Sequence, residues 1–151
     1  MHTFTKLQLS CAAALLLSGT AHAHHSQAMF DMNKCKTVQG TVRTFQFQFP
    51  HSWLWVYVPN GTGEDVWGFE ASAPANMVEI EGRWKRDVIK KGDKVTVMYS
   101  PTKDGRNAGA LAWLALPDGK TTLRAATPAC AGTKPPPGAA DGPGSDANPK
   151  K

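Results

Sequence analysis

Val38-Gln39-Gly40-Thr41-Val42-Arg43-Thr44-Phe45-Gln46-Phe47-Gln48-Phe49-Pro50 is the stretch that decides the fold. Val38, Gly40 and Val42 share one parity along an extended chain, and Phe45, Phe47 and Phe49 share the other. Successive side chains of a strand point to opposite faces, so an apolar face that changes parity needs an extra residue or a sharp coil. The change falls at Arg43 or Thr44. A small closed barrel uses a long, kinked first strand of this kind to turn a corner. Pro50 cannot donate to a strand ladder and is expected to end it.

Downstream, Ser52 to Val58 alternates as a second strand. Leu54, Val56 and Val58 form an aliphatic face, and Trp53, Trp55 and Tyr57 form an aromatic one. Pro59-Asn60-Gly61-Thr62-Gly63 reads as a turn, and Asp65 to Ala71 as a third strand with Trp67 and Phe69 on one face. The pattern then changes period. Ser72 is placed to cap a helix, Pro74 to start it, and Gly82 to stop it, while Met77, Ile80 and Trp84 recur at helical spacing. Lys94 to Tyr99 is a fourth strand and Ala108 to Leu116 a fifth. The turn at Pro117-Asp118-Gly119-Lys120 leads into a short sixth strand, Thr121 to Arg124. This order predicts a mainly β fold, a small OB-like barrel of five to six strands with one short helix between strands three and four. A split SH3-like barrel and an open sandwich fit the same strand count.

The 151 residues suit a single domain, and Gly 14 with Pro 11 points to many turns. A basic start, the apolar run Leu7 to Leu17 and the small-x-small motif Ala21-His22-Ala23 read as a signal peptide over residues 1–23. The mature chain is then expected to begin at His24 and to be periplasmic or secreted, with no membrane span once the signal is removed. Residues 24–35 form an N-terminal segment, 36–130 the barrel, and 131–151 a disordered tail rich in Pro and Gly. Two cysteines remain after processing, Cys35 and Cys130, one before the first strand and one after the last. In an exported protein that pair predicts one disulfide tying the ends of the domain together.

Several short motifs then line up. His24-His25-Ser26, Met29-Phe30-Asp31, Gly40-Thr41-Val42, Phe49-Pro50-His51-Ser52, and Trp84 with Lys91-Gly92-Asp93-Lys94-Val95 resemble those of a family of small exported bacterial proteins of unknown function. The resemblance covers most of residues 24–124. It implies export and a small β-barrel and brings no activity with it. The family pattern has Asn where Phe49 stands.

The candidate chemistry lies in three histidines, His24, His25 and His51. A terminal His offers its amine and a ring nitrogen to one ion, and a second imidazole completes three nitrogens. Cu(II) favours such nitrogen sites. The pattern resembles the histidine-brace arrangement of copper oxygenases and copper carriers. His24 would supply amine and ring and His51 the third nitrogen, with His25 as the alternative. Cleavage two residues earlier would instead expose His22-Ala23-His24, a terminal copper chelate. Met29 and Met32 add soft sulfur near the terminus. The architecture is similar to a small periplasmic OB-barrel copper chaperone, but the ligand spacing differs and no ligand is carried over from it.

Trp53, Trp55 and Tyr57 are the second candidate site, since the second strand of an OB barrel commonly carries ligands. Rings of this kind stack on sugars, apolar molecules and bases. Net charge is +5, with 17 Lys and Arg interleaved among 12 Asp and Glu, so no nucleic-acid partner is expected. No Gly-x-Ser-x-Gly, His-Glu-x-x-His or phosphate-binding Gly loop occurs in the sequence. The expectation is therefore a binding protein, with copper at the processed N-terminus as the leading ligand. The alternative is a metal-free module that binds a small ligand or a protein through the aromatic face of strand two.

Overall fold

Strand β1 (Lys36–Gln46) serves two partners. Its first half pairs antiparallel with β4 (Lys94–Pro101), from Lys36↔Tyr99 to Thr41↔Lys94. Its second half pairs antiparallel with β2 (Trp53–Pro59), from Thr41↔Tyr57 to Gln46↔Trp53. The β1–β2 register slips between Val42 and Thr44, at the point where the sequence changes parity. Val42 is buried before the slip, and Phe45 and Phe47 pack against the same core after it. Val42 is also bonded across the corner. Its N–H donates to the Asp93 carbonyl and its carbonyl accepts from the Gly92 N–H, both at 2.8 Å. The computed structural model that carries these features describes residues 27–119 and 121–136.

The barrel closes through β3 (Glu64–Glu70) and β5 (Ala108–Ala115). The strand order is β3-β2-β1-β4-β5-β6, and β3 also pairs with β5 in parallel, from Gly68↔Ala108 to Glu70↔Ala110. Five strands thus form a closed cylinder, which excludes an open sandwich. The short β6 (Thr122–Arg124) extends it as a hairpin on β5. Helix α1 (Pro74–Glu81) lies between β3 and β4, as an OB-type order requires. Leu54, Val56, Phe69, Val97, Leu111, Leu114 and Leu123 fill the interior. On β2 burial alternates strictly, with the aliphatic residues in and the aromatic ones partly out.

Three local expectations need correction. Phe49 is 70% exposed rather than part of the core. β1 stops at Gln46, and strand parity has no hold beyond the end of the strand. Ser72 does not cap α1. The N-cap is Ala73, and the Ser72 hydroxyl instead accepts from Asn76 Nδ2 at 3.1 Å. Ile80 does not share a buried helix face with Met77, being 57% exposed. The helix has only eight residues and turns Met77 alone inward. Trp84 lies past the Gly82 stop and reaches the core from the following coil, where its Nε1–H donates to the Arg124 carbonyl at 2.7 Å.

The N-terminal segment lies across the outside of the barrel. Phe30 bridges to Thr102, the Asp31 N–H donates to the Pro101 carbonyl at 2.8 Å, and the Lys103 N–H donates to the Met29 carbonyl at 2.9 Å. The Phe30 ring is buried with Ala110, Ala112, Ala129 and Cys130. Cys35 and Cys130 form the expected disulfide, with Cα atoms 5.3 Å apart. Residues 131–136, at the head of the segment read as a disordered tail, are described, and Pro136 is buried. The signal peptide expected over 1–23, together with residues 24–26 and 137–151, lies outside the described residues.

The bridge spans 95 residues of sequence. Replacing both cysteines by Ser is expected to lower stability by about 4–5 kcal/mol, because the unfolded chain regains the entropy of a large open loop. Urea unfolding of the oxidised protein and the double variant measures this difference. Gly40 allows a second check. A Cβ there would sit 2.3 Å from the Tyr57 carbonyl oxygen, so Gly40→Ala must push β1 off β2. Its expected cost is about 1–3 kcal/mol in the same assay.

Candidate functional site

The site is set by the β2–β3 hairpin. Asn60 builds its turn: the Asn60 N–H donates to the Gly63 carbonyl at 3.0 Å. Its side-chain carbonyl accepts from the N–H of Thr62 at 3.2 Å and of Gly63 at 2.8 Å, and its Nδ2 donates to Asp65 Oδ1 at 2.9 Å. That turn fixes the register from Pro59↔Glu64 to Trp53↔Glu70. With Leu54, Val56 and Val58 pointing in, the outward face carries Trp53 opposite Glu70, Trp55 opposite Gly68 and Tyr57 opposite Val66.

Trp53 and Trp55 stack along this face, with ring centroids 5.6 Å apart and planes inclined by 18°. Gly68 makes room for the stack, since a Cβ there would lie 2.7 Å from the Trp55 ring. The Trp55 indole N–H donates to Gln46 Oε1 at 3.0 Å, which fixes the ring's rotation. The sequence-predicted aromatic residues are thus brought together, and the Trp55 ring also covers a strand glycine. Tyr57 continues the row toward the turn without a ring contact to Trp55 among the described residues.

His51 stands at the head of β2, and its Nδ1 is bonded to Glu70 Oε1. Both side chains are partly buried. They line a small cleft of about 40 Å³ together with Phe30, Thr127 and Gln27. Gln27 opens a short 3-10 turn, Gln27–Met29, that leads into the segment crossing the barrel. His51 therefore faces the N-terminal segment while its side chain stays partly open to solvent. Met29 is 40% exposed, whereas Met32 packs beside the buried Phe30 cluster. His24 and His25 lie outside the described residues. Among the described residues no group of three or more His, Cys, Asp or Glu side chains is arranged to hold a metal ion.

Glu70 is the residue that sequence reasoning passed over. Taken alone it is one carboxylate among scattered ones. Counting back along the hairpin from a turn at 60–63 puts it opposite Trp53 and diagonal to His51. That arithmetic was the signal, and it depends on knowing that the turn closes between Pro59 and Glu64.

Fold and site define a small, disulfide-closed, OB-like barrel with an imidazole–carboxylate pair at the end of a partly exposed aromatic row. The chain belongs to the family described as "Family of unknown function (DUF6152)", which matches residues 13–112, more than half of its length. The expectation of an uncharacterised family therefore holds. No curated protein matches the chain.

Gly68→Ala is expected to lift the Trp55 ring from β3 and break its stack with Trp53. The readout is the near-ultraviolet circular dichroism of the indole pair, which should weaken while the far-ultraviolet spectrum stays that of the barrel. The cost in stability is expected to be about 1–3 kcal/mol.

Proposed function

We propose that this protein is exported to an oxidising compartment and binds copper there through its processed N-terminus, as a carrier or accessory protein. The observation that carries this reading is that Gln27 lines the same cleft as His51 and Glu70. His24 precedes Gln27 by three residues, and three residues reach at most about 10–11 Å. The amine and ring of His24 are thus within chain reach of the His51 imidazole, and His25 is the alternative second ring.

The His51–Glu70 contact supports the same reading on chemical grounds. A histidine that ligates a metal commonly gives its other ring nitrogen to a carboxylate, which fixes the tautomer and makes the ligating nitrogen more basic. With Nδ1 held by Glu70, Nε2 is the nitrogen that would coordinate. Three nitrogens of this kind suit Cu(II), and Met29 adds a thioether of the sort that suits Cu(I). The disulfide agrees with an oxidising compartment.

A second reading, a metal-free module that binds a small ligand or a protein, is favoured by the partly exposed Trp53–Trp55 stack. The two differ in what they require. Copper binding requires an unblocked His24, whereas the aromatic reading requires Trp55 and ignores the terminus.

Cu(II) titration followed by electron paramagnetic resonance separates them. The expected result is a one-to-one complex with nitrogen couplings, lost when an extra residue precedes His24 and weakened by His51→Ala. Glu70→Gln should weaken it about 10–100-fold, as loss of a carboxylate behind a ligating histidine does. Weak binding that is indifferent to the blocked terminus would sink the copper reading.

A further inference from the structure

A second cleft, of about 210 Å³, lies where the N-terminal segment passes the β4–β5 turn. Its rim carries Lys34, Lys36, Lys103 and Arg106, and the rings of Trp67 and Tyr99 line it. These cations come from separate parts of the chain, two flanking Cys35 and two on the turn after β4. The disulfide holds the first pair in place, and the Lys103 N–H bond to Met29 ties the second pair to the N-terminal segment.

The charges do not cancel. Asp31 pairs with Lys34 at 2.9 Å and Asp104 pairs with Arg106 at 2.7 Å. Lys36 and Lys103 make no direct ion pair with a carboxylate among the described residues, although Lys103 lies close enough to Asp31 to help lower its carboxyl. Four cations and two carboxylates leave a local excess of two positive charges. The hydrogen bond from Lys34 holds the Asp31 carboxyl below its usual range, so that carboxylate stays ionised and occupied with Lys34. A cleft lined by one sign of charge over low-dielectric walls concentrates ions of the opposite sign.

The aromatic side adds shape. Trp67 meets Tyr99 edge-on, with centroids 5.8 Å apart, and Tyr99 packs in turn on Phe69 at 5.0 Å. Gly109 keeps the Tyr99 ring in this position, because a Cβ there would sit 2.3 Å from it. Burial pushes the Tyr99 phenol up, so it keeps its proton. Trp67 remains partly exposed at the cleft.

We propose that this cleft binds a small dianion of the phosphate-monoester type, with its anionic head between Lys36 and Lys103 and a flat organic portion against Trp67. The net local excess of two positive charges matches the charge of a phosphate monoester near neutral pH, about −1.5 to −2. The proposal is independent of the copper reading, because it uses none of the same side chains and requires no metal.

Nuclear magnetic resonance titration of the metal-free, disulfide-intact protein at low ionic strength tests it, with inorganic phosphate and phenyl phosphate as probes. Saturable shifts are expected at the Lys36 and Lys103 amides with both probes. Phenyl phosphate should bind more tightly and also move the Trp67 indole signal. The Lys36→Gln/Lys103→Gln variant should bind about tenfold more weakly, whereas Lys85→Gln, on an exposed coil elsewhere, should bind as the parent does. Shifts that do not saturate, or that fall equally in both variants, would mean general charge attraction and overturn the site. Equal affinity for the two probes with a silent Trp67 would overturn the aromatic part of the assignment. Should the double variant fail to fold, the map of shifts on the parent protein decides the matter alone.

Discussion

β1 has to satisfy two neighbours with one backbone. Over Lys36–Thr41 it is a partner of β4, and over Thr41–Gln46 it is a partner of β2. A flat strand cannot do both and keep one face inward around a closed cylinder. The slip between Val42 and Thr44 resolves the conflict by turning Val42 inward on one side and Phe45 on the other. It is held from outside by the Gly92 and Asp93 bonds to Val42 and made possible by the bare backbone of Gly40. With β1 bent, β2 and β4 diverge, and β3 can come round to meet β5. The cylinder therefore depends on this irregularity in the first strand, with a second register shift at Met98/Tyr99 between β4 and β5.

Closure also explains why function must be sought outside the barrel. The interior is filled by Leu54, Val56, Phe69, Val97, Leu111 and Leu114. A core so packed leaves the outward-facing positions of each strand free to carry chemistry. On β2 and β3 those positions hold Trp53, Trp55 and Glu70, and His51 stands just before β2. The order of Trp53, Trp55 and Glu70 follows from the same alternation that fills the core, and the His51 contact with Glu70 brings the imidazole to the end of that face.

The fold was readable because its signals are local. The parity change at Arg43–Thr44, the alternation of Ser52 to Val58, the Pro74 start and Gly82 stop, and the two flanking cysteines each sit within a short window of sequence. The mistakes arose where a local signal met a tertiary constraint. Ile80 has helical spacing to Met77, yet an eight-residue helix over the barrel buries little more than one side chain. Trp84 shares that spacing but enters the core from a coil, drawn by the Arg124 carbonyl. The site was less readable. His51 and the aromatic row stand out by residue type, whereas Glu70 gains its meaning only from pairing across the hairpin. Lys34, Lys36, Lys103 and Arg106 look like ordinary solvated charge until the N-terminal segment is laid against the β4–β5 turn.

That segment links the two clefts. Gln27 lines the one that holds His51, and Asp31, Lys34 and Lys36 line the one beside Trp67. Between them Phe30 is buried, and backbone bonds fasten Met29 and Asp31 to Lys103 and Pro101. The disulfide secures the far end at Cys35. A segment of about ten residues has little secondary structure of its own to hold it, so its position must come from these few attachments. A cross-link that closes a 95-residue loop acts mainly on the unfolded chain. In this protein it also has a native-state role, since it fixes the end of the segment that carries Lys34 beside the barrel, next to the β1–β4 ladder that holds Lys36. Global stability and the anchoring of the segment that lines the second cleft thus share one covalent bond.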